Sequence, residues 1–321
     1  MTKQLGAVLL AEAIAIGAML TITADLVAHT HVEGQGGVNV WGYRGTVAHQ
    51  RQPNEIRIAV VGGTRAFSWG GAASESLPAA LRWMVARTTD RAGEQFRPVV
   101  GLNLGVLGAP SSTYASTLAH YAYLKPDYIC IYDDLGRESG VSPRRHSIVF
   151  ALSGYSPALP LALEEKGMAL RYGSVRAGYG DGVVRSQGPV RRAAGSVLMG
   201  IGYAARRVDE SVPPAPAGDY VDGMIAAVET ARRLARGVIV AVGPVETEQD
   251  REHLRALQSR LAASLARDRA IRLIDLTSAP DLHAPDLLLD GYDYGAEGRT
   301  RVAAAISPTL LELIDMNPSA R

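Results

Sequence analysis

The chain predicts a three-layer α/β domain on a parallel sheet, behind an N-terminal membrane helix. Three observations lead there. A twenty-residue apolar run opens the chain, short β-branched runs alternate with helix-length segments from Ile56 onward, and glycine-rich turns close several of those runs. The totals agree: 321 residues, 47% of them hydrophobic, allow a large core. With 33 basic and 32 acidic residues the chain has no basic excess, which argues against a nucleic-acid partner. The single cysteine, Cys130, excludes an internal disulfide and a cysteine-built zinc site. Set in "YICIY", it reads as a small buried hydrophobe.

The first element is residues 5–24, "LGAVLLAEAIAIGAMLTITA", with Glu12 as its one charge. As a helix this run reaches about 30 Å, the thickness of a bilayer's hydrocarbon core. It is long for a signal peptide's apolar region and lacks a small-x-small cleavage site, so residues 1–24 read as an uncleaved signal anchor. Lys3 precedes the run and no Lys or Arg follows until Arg44. That asymmetry puts the N-terminus in the cytoplasm and the main domain outside a bacterial-type cytoplasmic membrane. Ala7, Ala11 and Ala15, with Ala13 and Gly17, recur at four-residue spacing and would let a second helix approach closely. Glu12 is costly facing lipid and points to the same partner, although a single anchor also tolerates one snorkelling carboxylate. Residues 25–55 are polar and glycine-rich, an extended strap rather than a packed unit.

The α/β domain occupies residues 56–321. Strands are expected at Ile56–Val61, Val99–Leu104, Tyr128–Tyr132, Val238–Val242 and Ile271–Ile274. Helices are expected at Ser74–Thr89, Ser111–Leu124, Tyr220–Arg236, Thr247–Arg267 and Ala296–Ile314, with Ser111 and Thr247 as N-caps. Such an alternation builds parallel βαβ units, whose ligands bind beyond the strand C-termini. An insertion at about 138–219 interrupts it. Its apolar stretch Ser147–Leu163 carries Pro157 and Pro160, which argue against a second membrane span. From Ser142 to Gly218 ten Lys and Arg face five Asp and Glu, so this segment reads as a cap, a membrane-surface element or a partner-docking face.

Motifs at the strand ends carry a resemblance. "VNVWGYRGTV" followed by "RIAVVGGTRAFSWGGAASESLPAAL", then "NLGVLGAPSSTYASTL", "KPDYICIYDDLGR", "LIDLTSAPDL" and "LLLDGYDYGAEGRTRVAAAI" stand in that order. In order and spacing they resemble the blocks of the SGNH (GDSL-like) hydrolases, esterases and acyl-transfer enzymes on a flavodoxin-like fold. The match covers roughly residues 38–137 and 219–315. The resemblance implies that Thr64 stands in the nucleophilic serine's place, Gly108 in that of the oxyanion glycine and Asp290 in that of the orienting aspartate. It also implies that Gly136 replaces the oxyanion asparagine and Asp293 the catalytic histidine.

A carboxylate with a pKa near 4 is a far weaker base than an imidazole at neutral pH. Losing a triad member costs about 10⁴–10⁶ in turnover, and losing an oxyanion donor about 10²–10³. A degenerate, non-catalytic member is therefore expected, with no cofactor, acting as a structural or accessory subunit. Its partners would be the bilayer and an integral-membrane protein, reached through residues 5–24 and the 138–219 insertion. An esterase or O-acyltransferase on envelope polysaccharide using Thr64, and a glycan- or acyl-binding module, are the alternatives. His283 or His146 would serve as a relocated base; Ser68 lies too far past the turn to replace Thr64. Asp133, Asp134, Asp290 and Asp293 form a weaker candidate set for Ca²⁺ or Mg²⁺, or for glycoside chemistry. The competing reading has these aspartates solvated or capping local backbone.

Overall fold

The structure is a computed structural model that describes residues 2–32, 34, 37–91, 97–133, 135, 148–178, 184–209, 219–279, 282, 284–288 and 293–316. In chain order the first helices are α1 (Thr2–Val32), α2 (Thr64–Phe67), α3 (Leu77–Arg91), α4 (Tyr114–His120) and α5 (Ile148–Ser153). They are followed by α6 (Leu159–Tyr172), α7 (Val175–Gly178), α8 (Pro189–Asp209), α9 (Tyr220–Leu234), α10 (Glu248–Arg267) and α11 (Ala296–Met316). The strands are β1 (Ile56–Gly62), β2 (Val99–Asn103), β3 (Tyr128–Asp133), β4 (Gly237–Val242) and β5 (Ile271–Asp275). Two compact units result. One comprises residues 1–33, 37–42 and 146–212, the other residues 34–36, 43–145 and 213–321.

The larger unit holds a sheet of order β2-β1-β3-β4-β5 with every pair parallel. Every residue of β1, β3 and β4 is buried, as strands covered on both faces require. Ile56, Ile58 and Val60 of β1 pack with Leu77, Leu81 and Val85 of α3 and Val302, Ile306 and Leu310 of α11. Ala59 and Val61 alternate to the opposite face, where α4 and α9 pack against each other. Cys130 is buried in this core, as expected. The strand order reverses between β1 and β3, and such a switch point opens a crevice at the strand C-termini.

Thr247 caps α10 in a reciprocal box with Asp250, which the sequence signals. Ser111 does not cap. It begins a short 3₁₀ turn, and its Oγ donates to the Tyr220 carbonyl at 2.9 Å, because Gly223 lets α9 approach that turn closely. Parts of the expected strap pack as well. Residues 25–32 continue α1, and Tyr43, Arg44 and Glu55 are buried in the larger unit. Glu55 accepts from Arg57, from the Gln52 N–H at 3.2 Å and pairs with His49 at 2.8 Å, so this segment has its own polar anchor.

In the smaller unit α1 is long and apolar enough to cross a membrane, its candidate span being Gly6–Thr30. Thr21 and Thr23 donate to carbonyls four residues earlier, so their hydroxyls are satisfied within the helix. Ala7, Ala11, Glu12, Ala13, Ala15 and Gly17 are all exposed. The far end of α1 packs on α6. Asp25 is buried and accepts from the N–H groups of Ala158 (2.9 Å) and Leu159 (2.6 Å), capping α6 from outside its own chain segment. The Tyr155 hydroxyl donates to Asp25, and His29 sits between the carbonyls of Val38 (2.9 Å) and Ser156 (2.8 Å). Pro160 falls in the first turn of α6, where its missing N–H costs nothing.

α6 and α8 pack closely along a seam of glycines. A Cβ on Gly167 would lie 2.6 Å from the Gly195 carbonyl, and one on Gly195 would lie 2.6 Å from the Gly167 carbonyl. Gly202 meets the Pro160 carbonyl in the same way at 2.5 Å.

Candidate functional site

The site is built at the C-terminal end of β1. Gly62 ends the strand, and a Cβ there would fall 2.0 Å from the Tyr132 carbonyl and 2.7 Å from the Ala66 Cβ. Only glycine lets β1 turn this tightly against β3. The chain then makes the single helical turn α2, which Thr64 begins half-buried. Ser68 closes it in the left-handed region at φ 65°, its N–H donating to the Thr64 carbonyl at 3.0 Å. The Ser68 side chain is structural: it donates to Ala66 and accepts from the Leu77 N–H at 3.2 Å.

The loop after β2 comes over this turn. Leu104 and Val106 donate their N–H groups to Val60 and Gly62, at 2.8 and 2.9 Å, extending the β1–β2 pairing past the sheet. Gly105 then passes so close to α2 that a Cβ would sit 2.2 Å from the Phe67 nitrogen. These contacts deliver Gly108, at φ 63°, with its N–H donating to Thr64 Oγ1 at 3.0 Å. Thr64 and Gly108 are thus brought together from loops 44 residues apart.

Around the turn the electrostatics are set by buried arginines that sequence reasoning missed. Arg44 donates to the carbonyls of Phe67 and Ser68, both at 2.6 Å, and to that of Gly71, with its guanidinium 4.7 Å from the Phe67 ring centre. Burial and the neighbouring Arg299 push Arg44 down to about 10, so it remains charged at neutral pH. Arg299, from α11, donates to the Trp69 carbonyl. Burial lowers its pKa, while the charges of Asp293 and Glu75 oppose that shift. Arg65 lies 5.1 Å over the Tyr294 ring and 3.6 Å from Glu246.

Asp293, in the place where the family resemblance implies an imidazole, is 6% exposed and lies within the field of Arg299. Asp133 is also buried, accepting from the Tyr114 hydroxyl, so it is not a solvated rim carboxylate. Among the described residues no group of three or more His, Cys, Asp or Glu is arranged to hold a metal. Asp134, Gly136, His146, His283 and Asp290 lie outside the described residues. One histidine of the larger unit is held near the end of β3 without any sequence signal: His253 of α10 bonds the Leu135 carbonyl through Nδ1 at 2.7 Å and stacks on Tyr220.

No family model matches the chain, and no curated protein sequence matches it. Among solved structures it is similar to TesA, at 14% identity and a TM-score of 0.41, over 80% of this chain and 99% of that one. It is also similar to a Clostridium thermocellum family 3 carbohydrate esterase, at 13% identity and a TM-score of 0.43, over 82% and 98% of the two chains. A third, a two-domain esterase active on acetylated mannans, is 12% identical with a TM-score of 0.43, over 81% of this chain and 49% of that one. Likenesses at this level leave the reading of the chain to its own residues.

Proposed function

We propose that this chain is a membrane-anchored, esterase-type α/β scaffold that has lost ester hydrolysis and serves as an accessory subunit of a membrane assembly. In this reading α1 is a single-pass anchor, with the N-terminus cytoplasmic and the α/β unit extracytoplasmic. The observation that carries it is Asp293, a buried carboxylate within the field of Arg299, in the place of a general base. A carboxylate is a far weaker base than an imidazole at neutral pH, so it is poorly suited to take a proton from the Thr64 hydroxyl. Gly136 in place of an oxyanion asparagine points the same way, since one lost donor costs about 10²–10³ in turnover.

The test is acetyl-ester turnover and phosphonate labelling of the full chain in detergent, beside Thr64→Ala. Wild type and variant are expected to show the same background and no adduct. Turnover that disappears in Thr64→Ala overturns the loss of catalysis. Purification in mild detergent addresses the subunit role, with a co-purifying membrane protein expected and a lone monomer counting against it. The Gly108–Thr64 hydrogen bond favours a second reading, an esterase or O-acyltransferase acting through Thr64, because it keeps that hydroxyl beside a backbone donor. The same assay decides between them.

A further inference from the structure

The outer face of α8 is not explained by the site or by the packing of its own unit. Val190, Ala194, Val197 and Ile201 recur at steps of four, three and four, one stripe along the helix. All four are exposed, Val190 by 81%, Val197 by 61% and Ile201 by 52%. The opposite face, with Gly195 and Gly202, is pressed onto α6. Arg191 stands at the edge of the stripe and Arg192 a further step of about 100° round the helix, and both are exposed. A water-soluble surface rarely keeps such a continuous apolar stripe.

We infer that α8 lies on a membrane surface, its Val190–Ile201 stripe among the acyl chains and Arg191, at the edge of that stripe, at the phosphates of anionic lipids. The inference rests on the reading of α1 as an anchor and extends it. Two further observations favour lipid over a protein partner. The first is continuity. α8 is fastened through Gly202 to the Pro160 end of α6, the end capped by Asp25 of α1. Asp25 lies near the close of the candidate span, so this end of α8 sits where an anchor would leave the hydrocarbon. Tyr203, 47% exposed at that same end, is a residue type that favours the headgroup boundary. The second is charge. Basic residues beside an apolar helix face are the pattern of helices that lie in the interface plane, and they complement the phosphates of an anionic leaflet.

The experiment places an environment-sensitive fluorophore on single introduced cysteines in the full chain: Val197→Cys, Leu10→Cys and, on α10, Glu252→Cys. Burial pushes the native Cys130 thiol up to about 12, so it stays unlabelled. Each protein is reconstituted in phosphatidylcholine vesicles with or without phosphatidylglycerol, the acyl chains brominated or not. Brominated chains are expected to quench the labels at 197 and 10 but not at 252. Quenching at 197 is expected to fall several-fold without phosphatidylglycerol, or in Arg191→Glu. A label quenched at 10 but not at 197 overturns the inference and leaves the anchor standing. Quenching at 197 but not at 10 upholds the surface contact and overturns the anchor, and quenching at neither position overturns both. A label at 197 that is shielded in native membranes yet unquenched in pure lipid assigns the stripe to a protein partner instead, and also overturns the inference.

Discussion

Arg44 and Arg299 grip the same short loop, chiefly through its backbone. Each donates to backbone carbonyls between Phe67 and Gly71, which fixes the turn carrying Thr64. Arg44→Met takes a donor from three carbonyls; that of Phe67 keeps Asn103 Nδ2 at 3.1 Å, and those of Ser68 and Gly71 cost about 1–3 kcal/mol each where they stay buried and unpaired. Relief of the Arg44–Arg299 repulsion offsets part of this. A net loss of about 2–4 kcal/mol is expected from urea unfolding. Cys130 gives a second test at this scale. Its buried thiol, raised to about 12, should ignore a thiol reagent at pH 8 and react fully once the chain is unfolded in guanidinium.

Elements divide into those the sequence makes visible and those it hides. The five strands fall within a residue or so of expectation because each is a nearly unbroken apolar run between turn residues. The Thr64–Gly108 meeting was legible for the same reason, since both follow strands that a parallel sheet must place side by side. The arginine grip was not. A long side chain reaching a distant carbonyl leaves no periodic trace, and Arg44, Arg65 and Arg299 come from three separate elements. The glycine seam between α6 and α8 was equally hidden, because glycine inside a helix reads as weakness until a second backbone lies against it. Gly167→Val should separate the two helices, seen as faster proteolysis of residues 159–209 with the α/β unit left intact. Thr247→Ala removes the α10 cap and should lower stability by about 0.5–2 kcal/mol in a thermal melt. Glu55, at the start of β1, adds an acid dependence. Burial alone would raise its pKa, but hydrogen bonds from Arg57, Gln52 and His49 hold it below the usual glutamate range. Its folded value lies below its unfolded one, so its contribution is present above the unfolded pKa and lost as pH falls through the folded one. Glu55→Gln should therefore flatten the acid limb of a stability–pH profile.

For the whole molecule, the anchor reading predicts that the full chain stays with membranes after alkaline carbonate washing and leaves them only in detergent. The division into two units was legible in part. The insertion stood out by its basic charge and its prolines, whereas its union with the N-terminal helix did not. That union depends on Asp25, a single carboxylate near the end of an apolar run, meeting the start of α6 more than 130 residues further along the chain.

The same union sets an order of events during synthesis. Asp25 and Tyr155 are 130 residues apart, so at about 5–20 residues per second the ribosome needs roughly 6–26 seconds to make the second after the first. Throughout that interval the nascent chain holds α1 without the helix that Asp25 caps, and residues 56–133, with the first three strands, emerge in between. The smaller unit therefore cannot close on its N-terminal helix until α6 has been made, and a chain arrested before residue 159 would carry α1 with Asp25 not yet capping a helix.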